Sequence, residues 1–173
     1  EMIRVPKILK KIKDPVSCLT HMAGAIASIV GMIFLILLAV REGTPWHIVG
    51  FSIFGASLIL LYSASTIYHM LDISDRVNLI LRKVDHMMIF VLIAGTYTPY
   101  VLVVLPKNIG WTMFGIIWAC ATIGIVLNAV DLNKYKKISM FLYIIMGWMI
   151  IFSFKYLLRS ISMEGIFLML SAG

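Results

Sequence analysis

Charge is what this 173-residue sequence has least of. Asp, Glu, Lys and Arg make up 13% of it, against roughly 25% in a soluble domain, so the chain cannot clothe a soluble fold in solvated side chains. Cysteine is nearly absent too. The two that occur, Cys18 and Cys120, fall inside apolar segments, which leaves no extramembrane disulfide framework. There is no Gly-x-Ser-x-Gly elbow for a Ser-His-Asp hydrolase, and no Walker loop, dinucleotide fingerprint or HExxH helix. No inverted repeat with paired broken helices is present, which weakens a transporter reading. The first apolar segment is too long for a cleavable signal peptide and lacks a small-residue cleavage site. The net charge of +7 comes with no basic amphipathic surface or binding motif, so no nucleic-acid partner is expected.

Apolar residues are abundant. They make up 61% of the chain, and the mean hydropathy is +1.00, which assigns the protein to lipid. Five complete spans are expected, at about 16–40, 46–70, 84–105, 109–130 and 138–158, each long enough to cross about 30 Å of hydrocarbon. A partial sixth begins after Glu164 and is cut off at Gly173. The fold class is therefore all-α, a polytopic transmembrane bundle over 15–173 preceded by a basic arm over 1–14. Asp14 and Pro15 predict an N-cap and a first-turn proline for the first span. Gly24, Ala27, Ser28 and Gly31 suit close helix packing. Residues 72–83 read as a connection, Pro99 as a kink that frees a backbone carbonyl, and Asn128 with Asp131 as a helix end. The chain opens on Glu1 rather than Met, and some sequence is expected to precede it.

Basic residues set the expected orientation. Alternate connections hold eleven Lys and Arg on the side of the N-terminal arm and four on the other, so the positive-inside rule places the N-terminus in the cytoplasm. His21, His69, Asp85 and His86 then share one leaflet, contributed by three spans. Ionisable groups at membrane depth mark functional sites. Any one of these residues is explained as well by a bond to a neighbouring helix; their coincidence at one depth favours a site. A neutral imidazole such as His69 binds Zn²⁺ well. Ser65 lies one turn earlier on the same face, and Asp85 can bind metal or handle the proton of a bound water. Cys18 and His21, three residues apart, form a second, weaker metal pair. Tyr62, Tyr68, Tyr97 and Tyr100 read as packing or interfacial aromatics, although a lipid cleft could use them. His47 lies at the opposite face.

Thr20-His21, Ser65-x-x-x-His69, Asp85-His86, the run from Leu92 to Pro99 and that from Tyr143 to Trp148 together resemble the hemolysin III family. That family belongs with the progestin and adipoQ receptors, among presumed membrane metal-dependent hydrolases. The resemblance covers nearly the whole chain. It implies a seven-helix bundle with a cytoplasmic N-terminus in a bacterial plasma membrane. It also implies Zn²⁺ held by three histidines, of which His69 is one, with Ser65 its partner and Asp85 holding the metal-bound water. The other two ligands would be a His-x-x-x-His pair on a seventh helix that this sequence does not contain. The chain is therefore expected to be a fragment that binds zinc weakly or not at all, with His21 and His86 as additional polar groups. The activity implied is hydrolysis of a lipid amide or ester, with membrane lipids as partners. The alternatives are a homeostasis or receptor-like protein with a structural metal, and a pore-forming cytolysin.

Overall fold

The apolar runs become helices wherever a cap lets the backbone start. A computed structural model describes residues 12–160, and every regular element among them is helical. α1 (Pro15–Glu42), α2 (Pro45–Met70), α3 (Asp75–Val103) and α4 (Lys107–Asp131) are single helices. The fifth span is built from α5 (Lys136–Trp148), a 3₁₀ stretch over Met149–Ser153 and α6 (Phe154–Ser160). Five helical stretches are long and apolar enough to cross a membrane. The expected sixth segment and most of the basic arm lie outside the described residues.

Short connections make successive helices neighbours. α1 packs on α2, α2 on α3 and α3 on α4, while α5 touches both α4 and α3. α3 is thus the central element. Its apolar face joins those of α4 and the fifth span in a core of Phe90, Ala94, Val101, Ile117, Ala121 and Met146. Large apolar side chains such as Val30, Phe34, Val130 and Phe141 point outward instead. Lipid is as apolar as they are, so the bundle is held by close packing rather than by flight from water. Small residues make that packing. Gly124 lies against the Phe90 ring, Gly95 against Ser57 and Gly55 against Met32, each too close for a Cβ. On α1, Gly24 meets the Tyr62 ring in the same way, whereas a Cβ at Gly31 would meet nothing within 4 Å, so close approach does not require a glycine there.

The largest departure from the expected layout is the start of α3. Its helix begins at Asp75, nine residues before the expected 84. The Ser74 side chain accepts the N–H of Val77 at 3.4 Å, which supplies the cap. Asn78 reaches back to accept the N–H of Ile73 and to donate to Asp72 at 2.6 Å, stitching the turn. Only Leu71–Ser74 remain as a connection. The helix also runs through Pro99 without a break, with Gly50 of α2 lying against the proline ring.

The fifth span was expected to be one helix, and a long-range contact breaks it. The Tyr97 hydroxyl donates to the carbonyl of Gly147 at 2.8 Å and accepts the N–H of Ile150 at 3.1 Å. A side chain inserted into the ladder diverts its bonds, and the chain tightens to 3₁₀ geometry there. Tyr100 donates similarly to the carbonyl of Ser153 at 3.0 Å. Both tyrosines line an apolar cavity of about 530 Å³ that reaches His47.

Candidate functional site

The N-terminus of α1 and the C-terminus of α2 are tied together. Asp14 caps α1, accepting the Ser17 hydroxyl at 2.7 Å and the Ser17 N–H at 3.4 Å. Its own N–H donates to the carbonyl of His69 at 2.9 Å, and its carboxylate lies 3.3 Å from His69 Nδ1. The Ser17 hydroxyl and N–H, with His69 adding to them, hold the Asp14 carboxyl below the usual carboxylate range. The sequence marked Asp14 only as a cap. Its reach to His69 depends on how α1 and α2 are rotated against each other, which spacing does not encode.

This contact bears on which His69 nitrogen is free. A carboxylate only accepts, so in the neutral ring it favours the proton on Nδ1 and leaves the lone pair on Nε2, the arrangement common in metal-ligating histidines. The same logic applies to His21, whose Nδ1 lies 2.6 Å from the carbonyl of Ser17, and to His86, whose Nδ1 lies 2.9 Å from that of Arg82. The His21 and His69 rings stack almost parallel, with centroids 5.5 Å apart. Tyr68 meets His69 edge-on, and Lys13 lies over the Tyr68 ring at 4.2 Å.

Asp85 does not open α3 but lies about three turns into it, because the helix starts early. That depth brings it level with Ser65, which is buried on α2. Ser65 of α2 and the neighbouring His86 stand beside the Asp85 carboxylate, with His69 in its vicinity. His86 Nδ1 stands 3.6 Å from Asp85 Oδ2. The structure therefore brings His21 to His69, and Ser65 and His86 to Asp85.

The donors fit Zn²⁺ in kind and fall short in number. His69 presents a free Nε2, with Ser65 and Asp85 nearby. A zinc site takes at least three protein ligands, and no group of three His, Cys, Asp or Glu residues able to hold a metal occurs among the described residues. The Cys18–His21 pair gains no further ligand either, and Cys18 is buried. His47 sits at the other end, where its Nδ1 accepts the N–H of Thr44 at 3.0 Å and caps α2.

The partners of two further residues escaped the sequence reading. α4 ends at Asp131, as expected, but Asn128 in its last turn is more than a helix end. It is wholly buried and accepts the Ser139 hydroxyl at 2.6 Å. A signal existed: Ile117, Ala121, Gly124 and Asn128 recur at helical spacing on the buried face of α4. Tyr143 donates to the carbonyl of His86 at 3.0 Å and packs on Phe90 with ring centroids 4.2 Å apart.

The family model described as haemolysin-III related matches residues 9–172 of the chain. A hemolysin-3 homolog of Bacillus subtilis (strain 168) is 39% identical over 163 residues, which is 94% of this chain and 76% of the relative. Hemolysin-3 of Bacillus cereus is 38% identical over 173 residues, the whole of this chain and 78% of the relative. No solved structure matches the chain.

Proposed function

Because the chain belongs to the haemolysin-III related family and is an integral membrane protein, we propose that it is a hydrolase-like protein acting on an amide or ester bond of a membrane lipid. One observation carries this reading. Two helices, α2 and α3, apolar over most of their length, bring His69, Ser65 and Asp85 together at the end of the bundle where basic residues are concentrated. The charge asymmetry puts that end in the cytoplasmic leaflet, and the bacterial relatives favour a bacterial plasma membrane.

In this reading Asp85 takes the proton of the attacking water. The Ser65 hydroxyl stands beside the carboxylate to help position it, and His86 flanks it on the same helix. Asp14 and His21 fix the His69 ring. Zn²⁺ belongs to the proposal with His69 as one ligand and the others drawn from outside the described residues; it would supply Lewis-acid polarisation of the scissile carbonyl. A substrate with acyl chains reaches a site at this depth laterally from the bilayer. The relatives' printed names speak of hemolysis. A pore, however, needs a continuous polar lining, whereas Ser57 and Thr98, deeper in the bundle, turn their hydroxyls onto their own helices.

The test is release of fatty acid from lipid amides and esters by the purified full-length protein, with metal content measured in parallel. Asp85→Asn should lower turnover by about 10²–10⁴-fold while leaving zinc content higher than in His69→Ala. Unchanged turnover in Asp85→Asn refutes the assigned role of the carboxylate. A folded protein that takes up no zinc removes the metal from the proposal.

A further inference from the structure

Away from α2, on the other flank of α3, a pocket of about 240 Å³ lies between α3, α4 and α5, lined among others by Arg82, His86, Asn128, Lys136, Ser139 and Tyr143. We propose that this pocket binds a phosphate group, with the Arg82 guanidinium and the Lys136 ammonium as its cations and the Asn128 amide as its fixed donor.

Asn128 is the strongest pointer. It is 0% exposed, its Oδ1 is taken by the Ser139 hydroxyl, and its Nδ2 makes no hydrogen bond. The Tyr143 hydroxyl oxygen lies close by and could accept, but the amide reaches no hydrogen-bonding geometry with it. A buried donor left unmet is destabilising, so a donor kept in a pocket wall marks the place of a missing acceptor. The acceptor should be an anion. No Asp or Glu lines the pocket, and Arg82, half-buried, makes no ion pair among the described residues.

Two of the neighbouring charges are engaged elsewhere. Lys83 donates to the carbonyls of Ala129 and Val130 at 2.7 and 3.1 Å, closing the end of α4 and pinning it to α3. Asp131 accepts the N–H groups of Asn133 and Lys134 at 3.1 and 3.0 Å. α5 starts at Lys136 with no side-chain cap, so the positive end of its dipole adds to the field over the pocket. Ile89, Leu132 and Met140 complete the lining with apolar surface. A phosphate carrying an apolar ester suits this mixture, and lipid phosphates are concentrated at this level of the bundle. Free phosphate shares the same recognition chemistry.

Thermal unfolding of the full chain separates the two sources. The chain is held in a neutral, phosphate-free detergent and titrated either with phosphatidylglycerol or with inorganic phosphate. Wild-type Tm should rise with phosphatidylglycerol. Arg82→Gln and Lys136→Gln should each weaken the apparent affinity by about tenfold, whereas Arg41→Gln, at the other end of the bundle, should not. Asn128→Asp keeps the Ser139 bond but faces the anion with negative charge, and should abolish the response. A saturable response to inorganic phosphate, lost in the same variants, identifies free phosphate as ligand; a response to phosphatidylglycerol alone identifies the lipid. Equal shifts in wild type, Arg82→Gln and Lys136→Gln overturn the proposal, as does a wild-type protein that responds to neither probe. Lys136 is exposed, so its substitution keeps the test decisive even if Asn128→Asp does not fold.

Discussion

Phe90→Ala and Gly124→Ala should each destabilise the bundle, yet together cost less than their sum. Phe90 is 0% exposed, between the backbone of Gly124 and the ring of Tyr143. In water its truncation would cost about 3–5 kcal/mol. In lipid the separated helices still bury the ring in hydrocarbon, so most of the transfer contribution vanishes and the cavity remains. Removing about 100 Å³ at about 24 cal/mol per Å³ gives about 2.4 kcal/mol, reduced as far as α4 and α5 can close the gap. Loss of the Phe90–Tyr143 ring pair adds about 0.5–1.5 kcal/mol. Gly124→Ala acts in the opposite sense, because its methyl would overlap the Phe90 ring and force α3 and α4 apart, at about 1–3 kcal/mol. In the Phe90→Ala background that methyl enters vacated space. The two substitutions should therefore couple by about 1 kcal/mol or more, with the double variant more stable than additivity predicts. Unfolding in mixed micelles, followed by tryptophan fluorescence, measures all four corners of the cycle. Additivity within about 0.5 kcal/mol would refute the close approach of α3 to α4 at this level.

Ser74→Ala removes the cap that starts α3 and should cost about 1 kcal/mol, with faster amide exchange confined to the first turn; no loss of stability would mean that the helix starts elsewhere. Tyr97→Phe strands the Gly147 carbonyl and the Ile150 N–H and should cost about 1–3 kcal/mol, unless the fifth span re-forms a regular helix, which faster-to-slower exchange at Ile150 would reveal. Asp14 has a folded pKa below its unfolded value of about 3.9. Its contribution to stability is therefore complete above that value and is lost as pH falls through the folded one. Asp14→Asn should remove this acid-side fall in Tm while running parallel to wild type between pH 6 and 8, on the order of the range used for such melts. Parallel curves below about pH 4 would refute it.

Depth was legible in the sequence and azimuth was not. Hydropathy located all five spans, and Asp14–Pro15 marked the start of α1 as the structure has it. Hydropathy failed at α3 because it reports where lipid begins, and this helix begins in the polar zone, at a serine cap among charged residues. It also could not reveal the 3₁₀ stretch, which is set by a Tyr97 hydroxyl some fifty residues away in sequence. The same limit applied to the polar end of the bundle. Depth alone placed His21, His69 and Asp85 in one leaflet, but which of them touch depends on helix rotation. In a soluble helix the apolar stripe records that rotation. Here most faces are apolar and the stripe disappears. What remains to mark the inner face is residue size and isolated polarity: Gly124 where Phe90 approaches, and Asn128 one turn further on the same face, with Ser139 across from it. An asparagine in line with a small-residue stripe is a buried group in need of partners, and reading it as a helix end overlooked the partners that its burial requires.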